Sequence, residues 1–192
     1  MERPIERFHE WLELAKTVPS IKEPTAMTLA TATPDGRPSA RIVLLKAYDE
    51  RGFVFYTNLE SRKSEEIKSN AYAALCFYWM PLDRQVRIEG AISPVSDAEA
   101  DAYFASRPRE SQIGAWSSIQ SRPMAKRAEL EQRIAENTVK FEGKPVPRPP
   151  FWSGWRLAPE VIEFWQQIEF RLHDRDIYRM GPKGWKLEKL FP

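Results

Sequence analysis

The tightest constraint on this chain is the spacing of its early strand-like runs, which succeed one another too closely for helices to lie between most of them. Ala26 to Ala32 and Ser39 to Ala47 flank the turn Pro34-Asp-Gly-Arg-Pro38, and Phe53 to Thr57 follows a turn at Asp49 to Gly52. Tyr72 to Trp79 and Arg84 to Ser93 are joined at Pro81-Leu-Asp83. Parallel neighbours need a crossover of about a dozen residues or more, so this order predicts an antiparallel sheet. Val86 and Ile88 alternate with Gln85, Arg87 and Glu89, which gives that run one packed and one polar face.

Helices are expected around this sheet. Ile5, Phe8, Leu12 and Ala15 recur at helical spacing among Glu6, Arg7, Glu10, Glu13 and Lys16, predicting an amphipathic helix over 4–17. A short helix is expected at Arg62 to Lys68. Ser96-Asp-Ala-Glu99 is a capping box that opens a helix ending before Pro108. Another is expected from Pro123 to Phe141, capped by Ser121, with Leu130 and Ile134 on its apolar side. After the extended Pro145 to Pro150 connector, strands are expected at Val161 to Gln166, His173 to Arg179 and Trp185 to Leu190, the last two joined by Gly181-Pro-Lys-Gly184. Together these predict a mainly β fold with peripheral helices (α+β), built as a small antiparallel barrel. At 192 residues the chain fits one domain, residues 1–192, in which 1–20 form the N-terminal helix, 143–150 the Pro-rich connector and 151–192 the C-terminal strands.

Composition narrows the function. Lys plus Arg number 29 against 27 for Asp plus Glu, and a net charge of +2 excludes a nucleic-acid coat, so any bound anion must be held by a local cluster. One Cys and two distant His, His9 and His173, exclude a disulfide framework and a Cys/His zinc site, and imply a reducing compartment. The apolar run Ala73 to Trp79 is too short to span a bilayer and Met1-Glu-Arg-Pro opens no signal peptide, so the expected location is the cytoplasm, away from membranes. The eight glycines never fall at dinucleotide-binding or P-loop spacing. Cys76, between Leu75 and Phe77, is expected to be a buried, inert thiol, and His9 a solvent-exposed residue on the polar side of the first helix.

Three places concentrate cations: Ser61-Arg-Lys63 at a helix start, Arg107-Pro-Arg-Glu-Ser111, and Arg171-Leu-His-Asp-Arg175. A helix start adds free N–H groups and the positive end of its dipole. Lys46 follows Ile42-Val-Leu-Leu45 in what reads as a central strand, where it needs a partner unless the strand ends there and the side chain snorkels out. Arg171 and His173 lie two apart in an expected extended stretch, so they share a face that Arg175 continues. Such a row repels itself unless it meets an anion or a salt bridge to Asp174 or Glu169, while Trp165 and Phe164 offer a flat apolar wall.

These residues and others resemble the pyridoxine (pyridoxamine) 5′-phosphate oxidase family from Phe8 to Pro192. The strings that carry the likeness include Arg41-Ile-Val-Leu-Leu-Lys46, Phe55-Tyr-Thr-Asn58, Ser61-Arg-Lys63, Ser106-Arg-Pro-Arg109, Glu163-Phe-Trp-Gln166 and Arg171-Leu-His-Asp-Arg175. The resemblance implies an FMN-binding split β-barrel, a homodimer with FMN at the subunit interface, and a site completed by the C-terminal strands. It implies oxidation of pyridoxamine or pyridoxine 5′-phosphate to pyridoxal 5′-phosphate, with O2 becoming H2O2. The FMN contacts it implies are Arg41, Ile42, Val43, Leu44, Leu45, Lys46, Tyr56, Thr57, Arg62, Lys63, Gln85, Gln120, Ser121, Trp165 and Arg175. For the substrate phosphate it implies Lys46, Tyr103, Arg107 and Ser111, and for positioning the reacting ring Arg171 and His173. No metal or nucleic acid is implied. The run Gln167-Ile-Glu-Phe170 departs from the small or polar residues usual before the arginine, and is expected to stiffen the presentation of Arg171. Another split-barrel flavin oxidase or reductase, or a non-catalytic carrier of FMN or pyridoxal phosphate, is the alternative that turnover would separate.

Overall fold

A computed structural model describes residues 3–192. Nine strands form one sheet in which every pairing is antiparallel. They are β1 (Ala26–Ala32), β2 (Pro38–Leu44), β3 (Ala47–Asp49), β4 (Gly52–Asn58), β5 (Tyr72–Trp79), β6 (Arg84–Pro94), β7 (Trp152–Gln166), β8 (Asp174–Gly181) and β9 (Gly184–Lys189). The order is β2-β1-β5-β6-β7-β4-β3, with β8 beside β7 and β9 beside β8. Five helices accompany them: α1 (Pro4–Thr17), α2 (Arg62–Ser69), α3 (Asp97–Ser106), α4 (Arg109–Ser117) and α5 (Arg127–Lys140).

The expected strand from Ser39 to Ala47 holds as far as Leu44 and then turns a corner. Leu45 donates its N–H to Thr25, on the β1 side, whereas the Lys46 N–H reaches Val54 of β4. Two residues thus carry the chain from one end of the strand order to the other, and the sheet curls into a split barrel. Lys46 accordingly lies at an exposed corner and not in a central strand. β7 is also longer than expected. Its first half pairs with β4, its second half with β8, and β6 runs along both. Pro159, which masks this strand in the sequence, sits where the register shifts opposite Gly90. A Cβ on Gly90 would lie 2.0 Å from the Ala158 carbonyl oxygen, so that close approach requires glycine.

The core fills the barrel. Phe8 of α1 meets Phe53, Phe77 and Tyr48 edge-on, and Leu29, Phe55, Leu75, Val86 and Ile88 are fully buried. The helix expected from Pro123 begins only at Arg127, behind Lys126, while Ser121 takes a left-handed φ of 69° and caps nothing. No residue of α5 is buried, and Ile134 of its apolar side is exposed. α4 escaped the sequence reading because Pro108, read as a terminator, stands at its N-cap position.

Candidate active site

β4, α2, α3 and α4 enclose a cavity of about 470 Å³. On one wall Lys63, in the first turn of α2, is buried. Its Nζ donates to Thr57 Oγ1 (3.0 Å), Ser61 Oγ (3.1 Å) and Gln120 Oε1 (2.7 Å), all neutral oxygens. Burial, and then the nearby Arg41, push its pKa down to about 8. Arg41 and Arg62 do not line this cavity. Arg41 donates to Thr31, Ser39, the Leu29 carbonyl and Glu66, and Arg62 Nε donates to the other oxygen of Glu66 at 2.9 Å.

A second wall is aromatic. Tyr56 of β4 stacks on Tyr103 of α3 at 4.0 Å and on Trp152 of β7 at 5.5 Å. The Arg107 guanidinium lies 4.8 Å from the Trp152 ring centre, and its buried Nη1 has no hydrogen-bond partner among the described residues. Burial lowers the Arg107 pKa, as expected for a cation awaiting a counter-ion. Lys46 and Ser111 complete this wall. Ion pairs fix α3 there: Arg148 donates to Asp97 and Asp101, and Arg156 to Glu99.

The remaining predicted residues gather elsewhere. Gln85, Trp165 and Arg175 are direct partners across β6, β7 and β8, so they share one face, opposite the core-facing Val86 and Phe164. Arg175 Nε donates to buried Glu163 at 2.8 Å and its Nη1 to the Phe191 carbonyl, so its ion pair is with neither Asp174 nor Glu169. His173 lies beside Trp165, ring centres 4.6 Å apart, and its Nδ1 faces the Ile168 N–H at 3.3 Å.

Arg171 breaks the expected row. Phe170 and Arg171 take left-handed φ values of 56° and 61° in a 3-10 turn, and β8 starts only at Asp174. The Arg171 side chain is exposed, without a hydrogen bond or ion pair among the described residues. Trp165, Arg171 and His173 line a separate hollow that shares no residue with the first cavity.

One chain therefore brings together Ile42, Val43, Leu44, Lys46, Tyr56, Thr57, Lys63, Tyr103, Arg107, Ser111 and Gln120, and sets Gln85, Trp165, Arg171, His173 and Arg175 apart. Leu45 is in the core and Ser121 is exposed outside the cavity. Sequence reasoning missed the role of Trp152 as an aromatic wall and Glu66 as the partner of two arginines. Only the latter had a signal, its i,i+4 spacing from Arg62.

The two groups are linked by the outer face of the sheet. Ile42, Thr28, Cys76, Arg87 and Glu163 pair in succession across five strands and so lie on that face, with Ile42 at the cavity and Glu163 beside Arg175. Ile42 is 64 % exposed, and Tyr78 is exposed as well. Cys76 is half-buried at the middle of this face and not fully buried, and burial raises its pKa and keeps the thiol protonated.

This antiparallel split barrel, with its cavity at the corner, has the fold of the FMN-binding split barrels. A pyridoxamine 5′-phosphate oxidase-related, FMN-binding protein from Nostoc punctiforme PCC 73102 shares the fold at a TM-score of 0.77 and 18 % identity, covering 100 % of this chain and 98 % of its own. The pyridoxamine 5′-phosphate oxidase family profile matches residues 14–150, and that of the pyridoxine 5′-phosphate oxidase C-terminal dimerisation region matches 152–192. The pyridoxine/pyridoxamine 5′-phosphate oxidase of Myxococcus xanthus (strain DK1622) is 58 % identical over 189 residues, covering 98 % of this chain and 91 % of its own. That of Rubrobacter xylanophilus is 59 % identical, covering 98 % and 87 %. PhzG from Burkholderia lata 383, solved with tetrahydrophenazine-1-carboxylic acid, superposes at a TM-score of 0.93 with 34 % identity, covering 100 % and 94 %. The chain belongs to the pyridoxine/pyridoxamine 5′-phosphate oxidase family of oxidoreductases. Among the described residues no helix is long and apolar enough to cross a membrane.

Proposed function

We propose that the chain, acting as one 1–192 unit in a cytoplasmic homodimer, binds FMN at the subunit interface. There it oxidises pyridoxamine and pyridoxine 5′-phosphate to pyridoxal 5′-phosphate, with O2 reduced to H2O2. One observation carries this: a single cavity holds two cations in search of an anion, Lys63 bonded only to neutral oxygens and Arg107 with an orphaned Nη1. Unpaired buried cations are costly, and a phosphorylated cofactor beside a phosphorylated substrate satisfies both.

FMN, when bound, supplies the acceptor for a hydride from the substrate C4′ carbon and passes the electrons to O2. Lys63, Arg62, Thr57, Gln120, Ser121 and Arg41 serve its phosphate end. Ile42 to Leu44, with Leu45 behind them in the corner, serve its ring edge together with Gln85 of the second copy, whose Trp165 and Arg175 wall it in. Lys46, Tyr103, Arg107 and Ser111 hold the substrate phosphate. Arg171 and His173 of the second copy orient the pyridine ring, a contribution of positioning and not of obligatory base chemistry. His173 Nδ1 accepts from the Ile168 N–H, which leaves Nε2 to face the substrate.

The outer sheet face supports the dimer. Cavity and Trp165 hollow flank opposite ends of one five-strand row, so a two-fold pairing of that face brings each copy's hollow to the other's cavity. The test is O2 uptake and peroxide release by FMN-loaded protein with both substrates, alongside light scattering. Flavin binding without turnover makes the chain a carrier, turnover only with a carboxylated tricycle moves it toward the Burkholderia lata relative, and a loaded mass near 22.3 kDa overturns the shared site.

A further inference from the structure

We propose that Glu66 is a positioning residue for the phosphate end of the FMN site and acts through Arg62. The proposal rests on the FMN reading above and deepens it. Glu66 is only 5 % exposed on its side chain, yet it lies on no hydrophobic seam and serves no step of the reaction. Its Oε2 accepts from Thr31 of β1 and from Ser39 and Arg41 of β2, while Oε1 accepts from Arg62 alone. Burial works to raise its pKa, but the bonds from Ser39, Thr31, Arg62 and Arg41 hold it down at about 2, so the carboxylate stays charged.

The arrangement matters because of what it leaves free. The Arg62 side chain is 66 % exposed, and an exposed i,i+4 pair is ordinarily loose. Here the acceptor is immobile, fixed to two strands, and it takes only the Nε edge. Both terminal nitrogens of Arg62 remain without partners among the described residues, one position along the helix from Lys63. A guanidinium held by Nε keeps its other edge ready to fork on a phosphate, without the rotamer entropy that a free arginine loses on binding.

FMN and riboflavin differ by the phosphate, so titrating both into flavin-stripped protein, read by flavin fluorescence, isolates this end of the site. Glu66→Ala should weaken FMN about tenfold and leave riboflavin unchanged. Glu66→Gln, which keeps an oxygen for Arg62 Nε and the shape of the side chain, should lose only about threefold, and it carries the test if the alanine variant does not fold. In an Arg62→Ala background Glu66→Gln should change nothing further. Equal losses for both flavins, FMN binding that holds or tightens, or a full effect without Arg62 would each overturn the proposal. Wild-type protein that binds FMN no better than riboflavin would overturn the FMN reading itself and the proposal with it.

Discussion

Lys63 and Arg171 carry the same charge on opposite kinds of ground. Lys63 is set in the first turn of a helix, between a strand end and Gln120, with three hydrogen bonds and almost no exposure. Arg171 stands on an exposed turn, in a backbone conformation that side chains disfavour, with no hydrogen bond or ion pair among the described residues. The difference teaches where one chain ends and the assembly begins. On the proposed reading, the phosphate-seeking half is built within the protomer, and the ring-orienting half is left for a second copy to complete.

The sharpest way to break this contrast is at Lys63. Lys63→Ala removes a buried charge-assisted contact worth roughly 1.5–3 kcal/mol, so FMN affinity should fall by about ten- to a hundredfold, and further with Arg62→Ala. Fluorescence titration showing unchanged affinity in the double variant would move the phosphate elsewhere. Arg171→Lys probes the open half. The charge persists but the planar fork is lost, so kcat/KM for pyridoxamine phosphate should drop about tenfold at matched FMN loading. Equal values would transfer ring positioning to His173.

A third test uses pH. With its pKa near 8, Lys63 is charged at neutral pH, and FMN affinity should be flat up to about pH 8 and then weaken by at most about tenfold per unit as the ammonium must be regained on binding. The sign for stability is the reverse. Because the folded pKa lies below the ordinary 10.5, the burial penalty of Lys63 is full below about 8 and is relieved as pH rises toward 10.5. Lys63→Arg should flatten the affinity profile between pH 8 and 10. A profile identical to wild type would assign the titration to another group.

What the sequence disclosed depends on whether a feature is local. α1 and the alternating strand β6 were legible because each repeats its own period, β5 because its run is apolar and short, and the cation clusters because their residues are consecutive. The corner at Leu45 and Lys46 was hidden at the end of the apolar run Ile42 to Leu45, since a change of pairing partner leaves no mark of its own on the sequence. The first half of β7 was disguised by Gly154 and by Pro159, the latter seated where the register shifts opposite Gly90. Glu66 needs β1, β2 and α2 in place before it has any partner but Arg62. The division of the predicted site into two groups was likewise beyond any spacing argument, because it reflects which ends of a five-strand row two segments occupy.

The Arg171 turn was misplaced for a related reason, and it yields the smallest effect. Gln167 and Ile168 stand where bulk was expected to stiffen the loop, yet Ile168 has an ordinary extended backbone, φ −129°. The strain lies at Phe170 and Arg171, neither a glycine nor an asparagine that would have marked a left-handed turn. Phe170 is 87 % exposed, so removing its ring forfeits little burial. Phe170→Gly relieves a left-handed penalty of roughly 1–2 kcal/mol against about 0.5–1 kcal/mol of added chain entropy, for a net gain of about 0–1.5 kcal/mol. For a chain of this length the midpoint of thermal unfolding should rise by about 2 °C. Ile168→Gly relieves nothing, adds the same entropy and should lower it. If Ile168→Gly stabilises and Phe170→Gly does not, the stiff element is the bulky pair after all, and the open half of the site is held more firmly than Arg171's lack of partners implies.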